Sequence, residues 1–348
     1  MIYIILYFLI FIISIFNQKK TIKNDFGFKF LIFLFALFIG FRHDVGADWQ
    51  NYLYHLEREF NTDLTLNFNN KEIIYYLIVW LASNIFGGIY FVNSILAIIF
   101  CYGLYRFAEI LNSNHYSLLM IAFPVLIVVI SLGFSRQSAA IGLFMLGLVQ
   151  LLKGNNVKYI LIILTASLFH LSAIVFLPLV FLFVKQKKYI TYPIATIVIY
   201  AAISTLLLPN VEYYDASYIQ REYNSSGALI RILMNAISGL IFLMFKNHIV
   251  TNMKSYKIWK YISYLTLLCF LFYFLSPSST AVDRLSFYLL PIQLLVFSNL
   301  NRLPIKFNNF KLGNSFVFLF GLIVLCSWIL LADHSKYWLP YNSYFFNI

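Results

Sequence analysis

YILIILTASLFHLSAIVFLPLVFLFV, residues 159–184, is an apolar run that holds no Asp, Glu, Lys or Arg and a single His, His170. A helix that crosses the hydrocarbon core of a bilayer needs roughly 17–25 residues at about 1.5 Å each, and this run meets that length. Comparable runs occur at Met1–Phe16, Ser117–Phe134 and Phe316–Ala332. None alternates apolar with polar residues, as the strands of a transmembrane barrel must. Around them the 348-residue chain is 61% hydrophobic and only 11% charged, with a mean hydropathy of +0.81. That leaves too little polar surface to enclose a core in water. The expected fold is an all-α integral membrane protein, a polytopic helical bundle of about 10–12 transmembrane segments with re-entrant segments among them. Residues 1–348 form a single membrane domain in this reading.

Hydropathy places twelve candidate segments near residues 1–17, 28–41, 72–87, 89–108, 117–134, 136–152, 158–184, 189–208, 228–246, 258–276, 284–300 and 313–331. The first has no basic residue before it and no small-residue cleavage pattern after it, so it is expected to stay attached. Lys19, Lys20 and Lys23 follow it, which by the positive-inside bias puts the amino terminus outside. If all twelve segments cross, Arg136 falls inside, with Lys153 and Lys158 outside. A second topology removes these oddities: residues 72–87 lie re-entrant or at the interface, and residues 158–184 fold back as a broken hairpin around His170. Arg106, Lys153, Lys158 and Lys185 then lie inside and Arg136 outside, and this version is preferred. Both versions leave the loops 42–71 and 209–227 and both termini extracytoplasmic. Within the first loop, Tyr52–Phe60 has the character of an amphipathic helix lying on the headgroups.

The net charge of +12 therefore reads as membrane topology; no soluble basic domain exists to hold a nucleic acid. Cys101, Cys269 and Cys326 sit far apart in apolar runs without C-x-x-C spacing, so redox and zinc chemistry are not expected.

Ionisable groups at or near lipid depth are costly unless paired or hydrated, and each is a functional candidate. Arg42 and Asp48 stand in FRHDVGADWQNY, where Gly46 permits a sharp turn as the chain reaches water. Their plain alternative is a helix end with a snorkelling Arg and a capping Asp. For Arg136 the plain alternative is a positive-inside charge, for Arg284 a pair with Asp283, and for His170 an interhelical hydrogen bond. Taken together, three arginines and a histidine describe an anion site with a base. Guanidinium forks suit a diphosphate, and an imidazole can accept a hydroxyl proton.

With these residues in view the chain resembles the EpsG-like group of Wzy-type polysaccharide polymerases. The matching pieces are R-x3-G-x-D with a following Tyr (Arg42, Gly46, Asp48, Tyr52), S-R-Q-x-x-A-x-G (Arg136, Gln137, Ala140), A-S-L-F-H-x-S-A (Ala166, His170, Ala173) and D-R-x-x-x-Y (Asp283, Arg284, Tyr288). Ala47 and Trp49 depart from the Thr and Tyr common in the family. The resemblance implies en bloc transfer of a glycan from undecaprenyl diphosphate to the end sugar of a lipid-linked repeat unit, at the outer face of a bacterial cytoplasmic membrane. Its partners would be the lipid-linked donor and acceptor, membrane lipid, a flippase and a chain-length regulator.

For that reaction Arg136 and Arg284 are the expected diphosphate contacts, with Arg42 a third contact or an anchor for Asp48. His170 is the first choice of base and Asp48 the second. Gln137, Tyr52 and Tyr288 are candidate sugar contacts. No metal or cofactor is expected, since arginines can stabilise the leaving group and no D-x-D motif stands on an exposed loop. A flippase of the same lipids, or a membrane O-acyltransferase of glycans, are the alternatives. The flippase would show two related halves, which this sequence lacks.

Overall fold

A computed structural model of the protein describes residues 2–17, 22–64, 72–111, 113–183, 197, 225, 227–250, 252–276, 278–304, 306–307, 310–311 and 313–346. The expected segment 189–208, apart from Ile197, and the loop 209–227, apart from Ser225 and Gly227, lie outside the described residues. So do Lys19, Lys20, Lys185, Lys187 and Lys188.

The apolar runs form helices, which satisfy their own backbone groups where water is absent. They are α1 (Ile2–Phe16), α2 (Phe26–Gly40), α3 (Trp49–Glu59), α4 (Ile73–Asn84), α5 (Gly88–Leu111), α6 (His115–Ala122, continued as a π-helix through Ser131), α7 (Ser135–Lys153), α8 (Asn156–Ser167), α9 (Ala228–Ile249), α10 (Met253–Leu275), α11 (Ser279–Ser286), α12 (Pro291–Ser298) and α13 (Asn314–Leu331), with a 3-10 helix at Leu171–Phe183. Helices α5, α7, α9 and α10 are long and apolar enough to cross a membrane, and α11 with α12, bent by 45°, can make one further span. The remaining apolar helices are shorter, so the protein is a polytopic helical membrane protein with several broken or half-length elements.

The packing shows which ends lie together. Gly40 packs on Ser94 while Phe28 meets Tyr105, so α5 runs antiparallel to α2. Gly103 and Gly142 bring α5 and α7 into backbone contact, the close approach that small residues allow between membrane helices. At the far end Asp25 caps α2 through the Phe28 amide and accepts hydrogen bonds from His115 and Tyr116.

Helix α8 stops at Ser167, and the chain turns at Leu168–His170 and returns. The Tyr159 hydroxyl donates to the Phe176 carbonyl at 2.5 Å, although a straight helix would set those residues about 25 Å apart. The expected hairpin around His170 is therefore present. Helix α4 begins at Glu72 beside His170 and leads to α5, where Tyr90 meets His43 at 2.5 Å. Both ends of this 12-residue helix thus lie at one end of the bundle, as they would in a segment that does not cross. Arg42, Asp48, Arg136 and His170 share that end; Lys153 and Lys158 lie at the other. This is the arrangement of the preferred topology. Helix α3 packs on α4, with the Ser83 hydroxyl on the Leu56 carbonyl, and leaves Tyr54 and Phe60 exposed.

The turn between α2 and α3 is pinned at Gly46. Its φ is +104°, and a Cβ there would fall 2.1 Å from the Leu132 carbonyl oxygen. Its amide donates to the Tyr337 carbonyl, and the two-residue strands Arg42–His43 and Asn342–Ser343 pair antiparallel alongside. Gly46→Ala is expected to cost about 1–3 kcal/mol, because an L residue is strained at this φ and has no room. A lowered thermal-aggregation midpoint in detergent checks this; an unchanged midpoint would show that the turn can move away from Leu132.

Candidate functional site

The first turn of α7 gathers the candidate residues. Phe134 lies under the Arg284 guanidinium, 4.8 Å from ring centroid to Cζ. The Ser135 hydroxyl accepts from Arg42 Nη2 at 2.6 Å. Arg136 Nη1 donates to Glu72 Oε2 at 2.7 Å, and Gln137 Nε2 donates to the Arg284 carbonyl at 2.6 Å. Four consecutive residues thereby connect elements scattered from residue 42 to residue 284. They stand at a helix N-terminus, where free amides and the helix dipole favour an anion.

On one side of this turn Glu72 bridges two of the expected residues. Its Oε1 accepts from the Leu171 amide at 3.2 Å and lies 2.9 Å from His170 Nδ1, while Oε2 holds Arg136. The hairpin tip supplies the imidazole, the start of α4 the carboxylate and the start of α7 the guanidinium. The Arg136 guanidinium also lies over the rings of Tyr75 and Tyr52, at 5.1 and 6.0 Å. The side chains of Glu72, His170 and Arg136 keep 12%, 13% and 25% of their surface exposed, so the group is shielded yet reachable.

Burial opposes ionisation of Glu72, but the Arg136 charge and the His170 hydrogen bond outweigh it and hold the carboxyl at about 2. Because this folded value lies below the ordinary 4.5, the stabilisation is fully present above 4.5 and is lost as pH falls towards 2. Glu72→Gln should therefore lower thermal stability at pH 7, and the gap to the unaltered protein should narrow at pH 3. A gap that stays constant between these pH values would mean that the carboxylate charge contributes nothing.

On the other side of the turn lies a cavity of about 320 Å³, lined by Asp48, Phe134, Arg231, Arg284, Phe287 and Trp328 among others. Arg231 enters it from the first turn of α9 and holds Asp283 with two hydrogen bonds of 3.0 and 2.5 Å. The bidentate partner of Asp283 is thus Arg231, where the sequence suggested Arg284. Asp48 precedes α3 without a side-chain capping bond and is half-buried.

The remaining expected residues are enclosed. Arg42 is fully buried and donates to the carbonyls of Val45 and Ile39 as well as to Ser135. Burial pushes its pKa down to about 10, which leaves it charged at neutral pH. Tyr52 and Tyr288 are buried, and the Tyr288 hydroxyl lies 3.0 Å from Ser172 Oγ in the hairpin. Gln137 is buried as well.

Glu72 and Arg231 were absent from the sequence-based candidates. Each carries a signal: Glu72 is a lone carboxylate heading an apolar run, and Arg231 is a lone cation three residues into one. Among the described residues no His, Cys, Asp and Glu side chains gather in a group that could hold a metal ion.

The model of the EpsG family matches residues 25–343, nearly the whole chain. No curated protein and no solved structure matches the chain.

Proposed function

The chain belongs to the EpsG family of Wzy-type polysaccharide polymerases, and from that premise we propose that it joins lipid-linked oligosaccharide repeat units en bloc at the outer face of a bacterial cytoplasmic membrane. The observation that carries this reading is the convergence on the first turn of α7. Arg136 and Arg284 are brought to either side of one helix N-terminus, with His170 beside the first and Asp48 beside the second.

The reaction needs an acceptor hydroxyl deprotonated, an oxocarbenium-like centre tolerated and a diphosphate leaving group stabilised. His170 accepts the proton of the acceptor hydroxyl at Nε2, and the oxygen bonds to the anomeric carbon of the donor sugar. The bond from that carbon to the phosphate oxygen breaks, and the lipid diphosphate leaves with the electron pair. Arg136 and Arg284 face its charge, joined by the amides at the start of α7. Asp48 lines the cavity beside Arg284, where it can hydrogen-bond a sugar or assist as a second base. Arg42 takes the anchoring role, since it is buried and each guanidinium nitrogen already donates, to Val45 on the turn that carries Asp48, to Ile39 in α2 and to Ser135 in α7. Tyr52 and Tyr288 support the site from below: the first backs Arg136 and the second the hairpin. Gln137 fixes the backbone at Arg284.

The lipid-linked donor and acceptor arrive from the membrane, with a flippase and a chain-length regulator as the expected protein partners. The purified protein in detergent, given repeat units extracted from a polymerase-deficient strain, should yield a ladder of longer glycans. A flippase has nothing to translocate there, so absence of a ladder from folded protein would overturn the reading.

The orientation has its own test. In a cysteine-free background, Gln50→Cys on α3 should react with an impermeant thiol reagent on intact spheroplasts. Lys158→Cys, at the opposite end of the bundle, should react only after lysis. The reverse pattern would place the site on the cytoplasmic face.

A further inference from the structure

We propose that Glu72 is the positioning residue for His170, fixing the ring so that Nδ1 carries the proton and Nε2 faces the acceptor hydroxyl. This rests on the reading of His170 as the base. An ionised carboxylate only accepts hydrogen bonds, so at 2.9 Å from Nδ1 it selects the tautomer in which that nitrogen is the donor. In the neutral ring Nε2 is then left with its lone pair. The Leu171 amide donates to the same carboxylate oxygen, which locks the hairpin tip to the start of α4 and sets the ring's direction.

The second oxygen belongs to Arg136, so one carboxylate orients both the base and a leaving-group contact. The arrangement holds three charge-bearing groups in fixed relative positions without a covalent link. When His170 takes up the acceptor proton, the imidazolium forms against a carboxylate already in place, with no rearrangement at that moment. Among the described residues, the charged and titratable groups facing the imidazole or its partners are Glu72 and Arg136, with Tyr52 and Tyr75 stacked on Arg136, Tyr76 against Tyr75 and His55 bonded to Tyr75. Of these, only Glu72 touches the ring.

Glu72→Gln keeps the volume and removes the charge. The lipid-linked-unit assay should show kcat reduced on the order of 10- to 100-fold with KM for the acceptor unit little changed. In a His170→Gln background the same change should cost kcat much less, because only the hold of Glu72 on Arg136 is then left to lose.

A folding defect in the variant leaves a test on the unaltered protein. With ¹⁵N-labelled histidine, the His170 ring, identified by its loss in His170→Gln, should give the spectrum of the Nδ1–H tautomer at alkaline pH. An Nε2–H spectrum, or full kcat in Glu72→Gln, overturns the Glu72 assignment while the polymerase reading stands. Absence of any ladder from the unaltered protein instead overturns the polymerase reading, and the tautomer measurement still decides what Glu72 does to the ring.

Discussion

Replacing His170 by glutamine or asparagine should lower polymer formation about a hundredfold or more while protein level and membrane insertion stay normal. Either amide preserves a hydrogen bond towards Glu72 and a similar volume. What is lost is the proton acceptor, and without it the hydroxyl must ionise unaided. A structural histidine predicts a different outcome, since an interhelical hydrogen bond is worth about 1 kcal/mol and an amide replaces much of it. The location favours the larger effect: His170 sits at the tip of a hairpin, 13% exposed, where a ring inside a straight span would have met lipid or neighbouring helices. Rates are compared at saturating lipid-linked unit, so that binding defects do not enter. Activity within a few-fold of the unaltered protein would move the base assignment to Asp48.

The membrane fold was legible because length and apolarity suffice to specify helices in lipid. Finer features depended on where charges fell. The break at His170 could be anticipated from Lys153, Lys158 and Lys185, which ask for one side of the membrane, and from the ionisable ring midway along the run. The short α4 was anticipated by the same positive-inside argument. Tyr159 on Phe176 then supplies the physical fact that charge counting lacks, a hydrogen bond between residues that a straight helix would hold far apart.

The site was legible to the extent that single ionisable groups betray themselves in apolar sequence. His170, Arg136 and Arg284 did so. Glu72, a lone carboxylate heading an apolar run, gave a weaker signal, because it follows the polar residues of a long loop and its partners lie 64 and 98 positions away. Its meaning exists only once α4, α7 and the hairpin meet. Arg42 shows the converse, a residue whose sequence surroundings fit both a ligand contact and an anchor. The buried carbonyls of Val45 and Ile39 favour the anchor. Asp283 looked satisfied by its neighbour in sequence, yet helix geometry turned it towards Arg231 on another helix.

Lysine in place of arginine separates these roles, and the largest expected effects fall on Arg136 and Arg284. A lysine keeps the charge but offers a point donor where the guanidinium offers a planar fork. Losing one well-aimed contact to a developing oxyanion costs on the order of a hundredfold in rate, so Arg136→Lys and Arg284→Lys should each fall by about that factor. Their protein levels should hold, because Arg136 is 25% exposed and Arg284 is half-buried beside the cavity, so water can solvate an ammonium at either place. Arg42→Lys should behave in the opposite way. Its three buried acceptors are spread around one guanidinium, and an ammonium on a flexible stem cannot reach them together. That variant should lose protein from the membrane fraction, while what remains retains much of its rate per molecule. The assay therefore reports two quantities for each variant, membrane-inserted protein and polymer made per molecule. If Arg284→Lys polymerises at the normal rate per molecule, a generic positive charge suffices beside Phe134 and the diphosphate fork belongs elsewhere. If Arg42→Lys is abundant but inactive, Arg42 acts on the substrate and the anchoring role is wrong.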